Sequence, residues 1–331
     1  MIQFEKATKV YPEGTQAVTD LNLTIKKGEF FVFIGQSGCG KTTTLKLINR
    51  LIDLTSGTIT INDKSINEYQ IDELRWNIGY VLQQIALFPH LTVAENIAVV
   101  PELKKWKKVK IDQRVDELLD MVGLDPSVYR HRKPKELSGG EQQRVGVIRA
   151  LAADPDIILM DEPFSALDPL SREKLQEDLL HLKNKIQKTI VFITHDMKEA
   201  LRLGDRIGVM KSGQLIQVDT PEELLLNPKN DFVESILQTQ REETLLSKSL
   251  ESILNQIDLE PIEENKASFN EALIITSDTL ISEVLILLME NKEIYVEHNG
   301  RLLGAFSQKG LKRYLSNRRR GAHGVVSERF S

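Results

Sequence analysis

The sequence predicts an α/β fold on a parallel sheet, and three apolar runs, with the residues that follow each, carry the prediction. Phe30 to Ile34, Ile157 to Met160 and Thr189 to Ile193 are short and apolar, as strands buried on both faces are. Each ends in residues suited to chemistry: a glycine-rich loop after the first, Asp161 and Glu162 after the second, Thr194, His195 and Asp196 after the third. Ligands of open parallel sheets sit outside the carboxyl ends of the strands, so all three groups are expected at one edge.

The loop after the first run, Gly35, Gln36, Ser37, Gly38, Cys39, Gly40, Lys41 and Thr42, fits the pattern G-x-x-x-x-G-K-[ST]. Its backbone N–H groups face the phosphates of a nucleoside triphosphate, Lys41 adds a positive charge, and the Thr42 hydroxyl can hold Mg²⁺. A helix starting near Lys41, with Thr43 in its first turn, directs its positive end at the anion. Cys39, the single cysteine, occupies a position where the pattern accepts almost any residue, so it reads as loop filler. Asp161 is placed to support the metal and Glu162 to polarise an attacking water. Leu137 to Arg144 presents a small-residue turn and then a helix, a second anion-binding helix end, and His195 is suited to sensing the γ-phosphate.

With these motifs in this order, residues 1 to 238 resemble the ATP-binding cassette family, whose P-loop NTPase core carries a helical subdomain, here about residues 84–145. The resemblance implies ATP and Mg²⁺ as ligands, with Thr42, Gln83 and Asp161 at the metal and Lys41, Glu162 and His195 as catalytic residues. Glu162 is read either as general base or as a water-orienting carboxylate. Gln83 looks like the residue that links nucleotide to transport domain, and Tyr11 sits where the family stacks an aromatic on adenine. Ser138, Gly139, Gly140, Glu141 and Gln142 match the signature, and Asp168 matches the loop that crosses between subunits. The family architecture implies a head-to-tail homodimer in which the phosphate loop of one copy and the signature of the other enclose each ATP. A site completed only on closure couples chemistry to movement.

Composition bounds the remaining choices. At 331 residues, 41% hydrophobic and 27% charged, the chain has material for one α/β core plus a smaller domain. A formal charge of −5 supplies no global pull toward nucleic acid, so none is expected as a partner. No apolar run approaches the roughly 20 residues that span a bilayer, and the N-terminus enters a strand directly. The expected location is the cytoplasmic face of a bacterial cell membrane. The interval from Lys41 to Asp161 is too short for the coiled-coil insertion of chromosome-maintenance ATPases. One phosphate loop and one signature differ from the two cassettes of translation-factor relatives. A lone cassette without membrane spans looks like the ATPase subunit of an importer, with two transmembrane permease subunits and a substrate-binding protein as partners; a soluble ATPase acting on nucleic acid or ribosomes is the alternative class.

Between Gln83 and the signature the sequence predicts helices opening at Thr92 and covering Asp112 to Met121. Leu87 to His90 offers an aromatic, Phe88, in a proline-bent loop, to be read as a docking point for a membrane partner or as core. The lysine-rich run around Trp106 reads as a solvated connector with one packed aromatic. Lys46 to Arg50, Ile78 to Gln84, Leu87 to Ile97, Pro163 to Pro169 and Leu203 to Ile207 together resemble the osmoprotectant uptake ATPases. That resemblance implies glycine betaine, carnitine, choline or a similar compound as cargo, another small zwitterion being the alternative.

Residues 239–271 read as a linker with short helices. Residues 272–331 then read as a small α+β domain: strands at Ala272–Thr276, Ile294–Glu297 and Leu302–Phe306, helices at Leu280–Glu290 and Gln308–Leu315, and an Asn299–Gly300 hairpin turn. The order resembles one degenerate cystathionine-β-synthase-type (CBS) motif. In the osmoprotectant group, paired modules of this type sense ionic strength or bind an adenine nucleotide such as cyclic di-AMP; a purely structural dimerisation domain is the competing reading. Arg318 to Arg320 in the tail read as flexible and solvated, or as a lipid-binding patch.

Overall fold

A computed structural model describes residues 1–185, 188–246, 249–257, 259–260, 273–291, 293–310 and 313. The chain divides into two compact units, Met1–Leu237 and Gln238–Ser331.

The first unit begins with β1 (Ile2–Val10) and β2 (Gln16–Ile25), an antiparallel pair, then β3 (Phe30–Ile34) and α1 (Lys41–Ile48). Next come β4 (Ser56–Ile61), β5 (Lys64–Ser65), α2 (Ile71–Trp76) and β6 (Ile78–Val81). Helices α3 (Val93–Leu103), α4 (Lys108–Met121), α5 (Pro126–Tyr129) and α6 (Gly139–Leu151) follow without a strand between them. The chain returns through β7 (Ile157–Asp161), α7 (Pro169–Lys185), β8 (Thr189–Thr194) and α8 (Met197–Leu203). It closes with β9 (Arg206–Lys211), β10 (Gln214–Asp219), α9 (Pro221–Leu226) and the first part of α10 (Asp231–Leu246), a helix that continues past Leu237 into the second unit's residues.

The six-stranded sheet has the order β10-β9-β3-β8-β7-β6, parallel except for β10 at its edge; a second, antiparallel sheet has the order β2-β1-β4-β5. Because side chains alternate across a strand, every second residue of each central strand enters a different core. Phe30, Val32, Ile34, Ile158, Met160, Ile190 and Phe192 pack with the helices on one face. Phe31, Phe33, Ile157, Leu159, Val191 and Ile193 pack with α1 and the antiparallel sheet on the other. All five residues of β3 are buried, which is why these strands read as continuous apolar runs.

In the second unit β11 (Ile274–Thr276), α11 (Ile281–Glu290), β12 (Glu293–His298) and β13 (Arg301–Ser307) form a three-stranded sheet with one helix. β11 runs parallel to β12, and β12 turns antiparallel into β13 through Asn299 and Gly300, both with positive φ (51° and 75°) as a two-residue hairpin requires. Of the helix expected over Gln308–Leu315, residues 308–310 and 313 are described and are helical. The segment expected as a linker differs where it is described. α10 runs on to Leu246, and Leu250, Ile253 and Ile257 bury themselves in the core formed by Val284, Leu288, Ile294, Val296 and Phe306. Glu260 forms an antiparallel bridge with Ala305. Leu250, Ile253 and Ile257 recur three and four residues apart, as one face of a helix does, and Leu250–Gln256 forms the kind of short helix expected. What the pattern does not show is that the small sheet needs this face to close its core. The arginines at 318 to 320 lie outside the described residues.

Candidate active site

Sheet register gathers the candidate residues. Ile34 pairs with Thr194, Ile193 with Asp161, and Met160 with Val81. The phosphate loop, Asp161–Glu162, His195 and Gln83 therefore all leave the sheet at its carboxyl edge.

The loop itself is set by close backbone approach. A Cβ on Gly35 (φ 157°) would lie 2.3 Å from the Met210 carbonyl oxygen, and one on Gly40 (φ 107°) 2.1 Å from that of Ala17, so neither position accepts a side chain. Ala17 is the second residue of β2, just after the turn in which the Tyr11 N–H donates to the Thr15 carbonyl, and this brings the Tyr11 hairpin alongside the loop. Tyr11 is half-buried, with the Lys9 ammonium 5.4 Å from its ring centroid. Gln36, Ser37 and Gly38 are exposed. Cys39 is buried, and burial pushes its thiol pKa up, which makes it an inert packing group. Lys41 is 5% exposed; its ammonium donates to the Gly35 and Gln36 carbonyls at 2.7 and 3.1 Å, leaving a third N–H for a ligand. Thr43 is half-buried in the first turn of α1.

The Thr42 hydroxyl donates to Asp161 Oδ1 at 2.9 Å, and the Tyr80 hydroxyl reaches Asp161 Oδ2 at 3.4 Å. Burial raises the Asp161 pKa, opposed by the Thr42 hydrogen bond, and burial with the Asp161 charge raises that of Tyr80. A buried carboxylate beside a hydroxyl is a hard-oxygen set that suits Mg²⁺. Glu162 adopts a left-handed backbone (φ 43°) held by its N–H to the Ile193 carbonyl at 3.1 Å. That turn directs Glu162 Oε2 to 3.1 Å from His195 Nδ1 and 3.5 Å from Gln83 Nε2. His195 is the exposed partner of this pair, 63% against 19% for Glu162.

A separate set of partners holds the signature. Ser138 caps α6: its Oγ accepts from the Glu141 N–H at 3.3 Å while Glu141 Oε2 accepts from the Ser138 N–H at 2.7 Å. Gly139 and Gly140 form the first helical turn rather than a preceding loop, and Gly140 leaves room for Ser171 Oγ, 2.9 Å from where a Cβ would stand. Tyr129 donates to Glu141 at 2.6 Å, and Gln142 donates to the Leu137 carbonyl at 3.1 Å. Burial works against ionising Glu141, but hydrogen bonds from Tyr129 and Ser138 hold its pKa below the usual range. Asp168 Oδ1 accepts from the Ser171 N–H at 3.0 Å, and hydrogen bonding to Ser171 lowers its pKa.

In the loop after Gln83, Phe88 is 43% exposed. Asn96, fully buried, accepts from the Phe88 N–H at 2.8 Å and donates to the Phe88, Leu91 and Thr92 carbonyls. Trp106 packs against the core with the Lys110 ammonium 3.8 Å from its ring centroid, so the lysine-rich run is a connector with one seated aromatic. Sequence reasoning passed over Tyr80, Arg172 and Glu199 as site residues. Tyr80 lies three positions before Gln83 on a strand adjoining β7, which is the signal that was available; the other two face the site from helices.

A family model described as ABC transporter matches residues 18–165. The glycine betaine/carnitine/choline transport ATP-binding protein OpuCA of Bacillus subtilis is 48% identical over 292 residues, 88% of this chain and 73% of that one. This chain belongs to the ABC transporter ATP-binding family. The carnitine transport ATP-binding protein OpuCA of Listeria monocytogenes is 55% identical over 241 residues, and the aligned part is 73% of this chain and 60% of that one. Among solved ABC structures, the ATP-binding cassette MJ0796, a dimer in a post-hydrolysis state bound to ADP and Pi, matches with a TM-score of 0.60 at 37% identity. It covers 67% of this chain and 99% of that one. Among the described residues no helix is long and apolar enough to cross a membrane.

Proposed function

We propose that this ABC chain is the ATP-hydrolysing subunit of an importer for a quaternary ammonium osmoprotectant such as glycine betaine, carnitine or choline. It would work at the cytoplasmic face of the membrane beneath two permease subunits, with a substrate-binding protein supplying the cargo. The observation that supports hydrolysis is the convergence of Lys41, Thr42, Asp161, Glu162 and His195 at one sheet edge. The cargo class is supported by the relatives named for carnitine and for glycine betaine, carnitine and choline transport.

Phosphoryl transfer needs positioning and charge stabilisation more than covalent participation by the protein. The loop N–H groups and Lys41 bind the triphosphate, and Tyr11 offers a ring for the adenine. Thr42 and Asp161, with Gln83 from the neighbouring loop, would hold Mg²⁺, which when bound neutralises phosphate charge. Glu162 accepts the hydrogen bond of the attacking water, and His195, exposed beside it, keeps its carboxylate oriented and faces the γ-phosphate. Ser138 to Gln142 and Asp168 act on the site of a second copy, which makes hydrolysis depend on closure. For the C-terminal unit we carry forward dimerisation or control by an adenine nucleotide such as cyclic di-AMP, on the strength of its element order.

The test is ATP hydrolysis by the chain reconstituted with its membrane partners in liposomes. Glycine betaine, carnitine or choline should stimulate it and an unrelated zwitterion should not. Hydrolysis indifferent to every quaternary ammonium compound overturns the cargo; no hydrolysis overturns the ATPase reading.

A further inference from the structure

Glu199 is a carboxylate that the hydrolytic scheme above does not use, yet it is only 5% exposed. Burying a carboxylate is costly unless its oxygens are satisfied, so its partners carry information. It is not needed to cap α8: Asp196 already does so, accepting from the Lys198 and Glu199 N–H groups at 2.7 and 3.4 Å. One Glu199 oxygen accepts from the Thr194 hydroxyl, and the other lies 3.5 Å from the Gln176 amide nitrogen on α7. The same Thr194 hydroxyl accepts the Asp196 N–H at 3.0 Å, so one oxygen pins the residues on both sides of His195. Gln176 is fixed in turn by Arg202, whose guanidinium donates to its carbonyl at 3.0 Å. Glu199 also borders, with Glu162, Arg172, Thr194 and His195, a cavity of about 40 Å³. Arg172, on α7 just past Asp168, has a buried Nε with no hydrogen-bond partner among the described residues.

We propose that Glu199 is a positioning residue for hydrolysis, fixing the His195 turn through Thr194 and anchoring it to α7 through Gln176. The inference rests on the ATPase reading above. Glu199 acts on the chemistry only through His195, whose imidazole must stay within reach of Glu162. α7 begins directly after Asp168, so the anchor joins the hydrolytic turn to the helix that follows the subunit-crossing loop. A glutamine keeps both atoms within reach, its carbonyl accepting from Gln176 while its amide donates to the Thr194 oxygen in a bond of reversed direction; an alanine keeps neither.

The experiment measures steady-state ATP hydrolysis, nucleotide affinity and thermal melting for the full chain and its variants. Glu199→Ala should lower kcat roughly ten-fold or more while the KM for ATP and nucleotide affinity move less than about three-fold. Glu199→Gln should restore kcat to within about three-fold of wild type, and Gln176→Ala, which leaves Glu199 in place, should show the same kcat-selective loss at smaller size. In a His195→Ala background, Glu199→Ala should add less than about two-fold, because residues acting as one unit are not additive. Wild-type kcat in Glu199→Ala overturns the proposal, as does a loss shared equally by nucleotide affinity, melting temperature and kcat. A full additive loss in the His195→Ala background also overturns it. Lack of hydrolysis by the wild type overturns the ATPase reading and this inference with it.

Discussion

Glu162 owes its position to one backbone torsion. Its left-handed φ of 43° swings the carboxylate off β7 toward His195 and Gln83, whereas Asp161, one residue earlier, stays buried against Thr42. Two adjacent carboxylates thereby have different neighbours, and under the proposed function substitution of Glu162 should act differently from substitution of Lys41. Glu162→Gln keeps the shape and the backbone turn, so nucleotide affinity should stay near wild type while turnover falls roughly a hundred-fold or more. Lys41→Ala removes a charge-assisted contact to phosphate and should weaken affinity on the order of ten- to a hundred-fold as well as slowing turnover. Equilibrium binding of a fluorescent ATP analogue beside a phosphate-release assay checks both, and wild-type turnover in either variant would contradict the assigned roles. Residues that sit in motifs were legible from sequence because their chemistry is local: the glycines of the loop, Lys41, Thr42, Asp161 and Glu162. Tyr80 and Glu199 were not, because what each does depends on a neighbour that only sheet register or helix packing supplies, Asp161 for one and Thr194 for the other.

Between elements, the central strands were legible because burial on both faces leaves long apolar runs, and the Asn299–Gly300 hairpin because positive φ restricts residue choice. The segment from Leu250 to Ile257 was legible only as a short helix: its aliphatics recur at helical spacing, but nothing local shows that they fill the core of the small sheet. Contacts between loops are hidden for a related reason. Asp154, after α6, pairs with Lys188, before β8, at 2.9 Å. The hydrogen bond from Lys188 holds the Asp154 pKa below the usual carboxylate range, with burial opposing it. A carboxylate whose folded pKa is depressed contributes stability that is present above its unfolded pKa and is lost as pH falls through the lower folded one. Asp154 also has a left-handed backbone (φ 55°), which asparagine tolerates, so Asp154→Asn removes the charge without adding backbone strain. The variant should melt roughly 1–3 °C below wild type at neutral pH, the range of a partly exposed pair in a chain of this size. Thermal melts taken from neutral toward acid should show that gap closing; a gap that persists below the folded pKa would mean the pair is not its source.

At the scale of the whole molecule, the phosphate loop and the signature are built by different neighbours. Gly35 to Thr42 lean on Met210, Ala17 and Asp161, while Ser138 to Gln142 lean on Tyr129, Ser171 and Leu137. If each ATP is enclosed by the loop of one copy and the signature of another, defects in the two motifs must complement between chains. A Lys41→Ala chain has a damaged loop and an intact signature; a Ser138→Arg chain has the reverse, the bulky cation obstructing the small first turn of α6. Each alone forms only dimers in which both sites carry one damaged half. Mixed in equal amounts, half of the dimers are heterodimers, and in each of these one site pairs two intact halves while the other pairs two damaged ones. With independent sites, the mixture should recover about a quarter of wild-type hydrolysis, since a two-fold dimer places every contact twice. A signature acting on the loop of its own chain predicts no recovery, because neither variant then contains an intact site. The mixing ratio adds a second check: recovered activity should peak at equal amounts and fall on either side, following the heterodimer population rather than the amount of either chain.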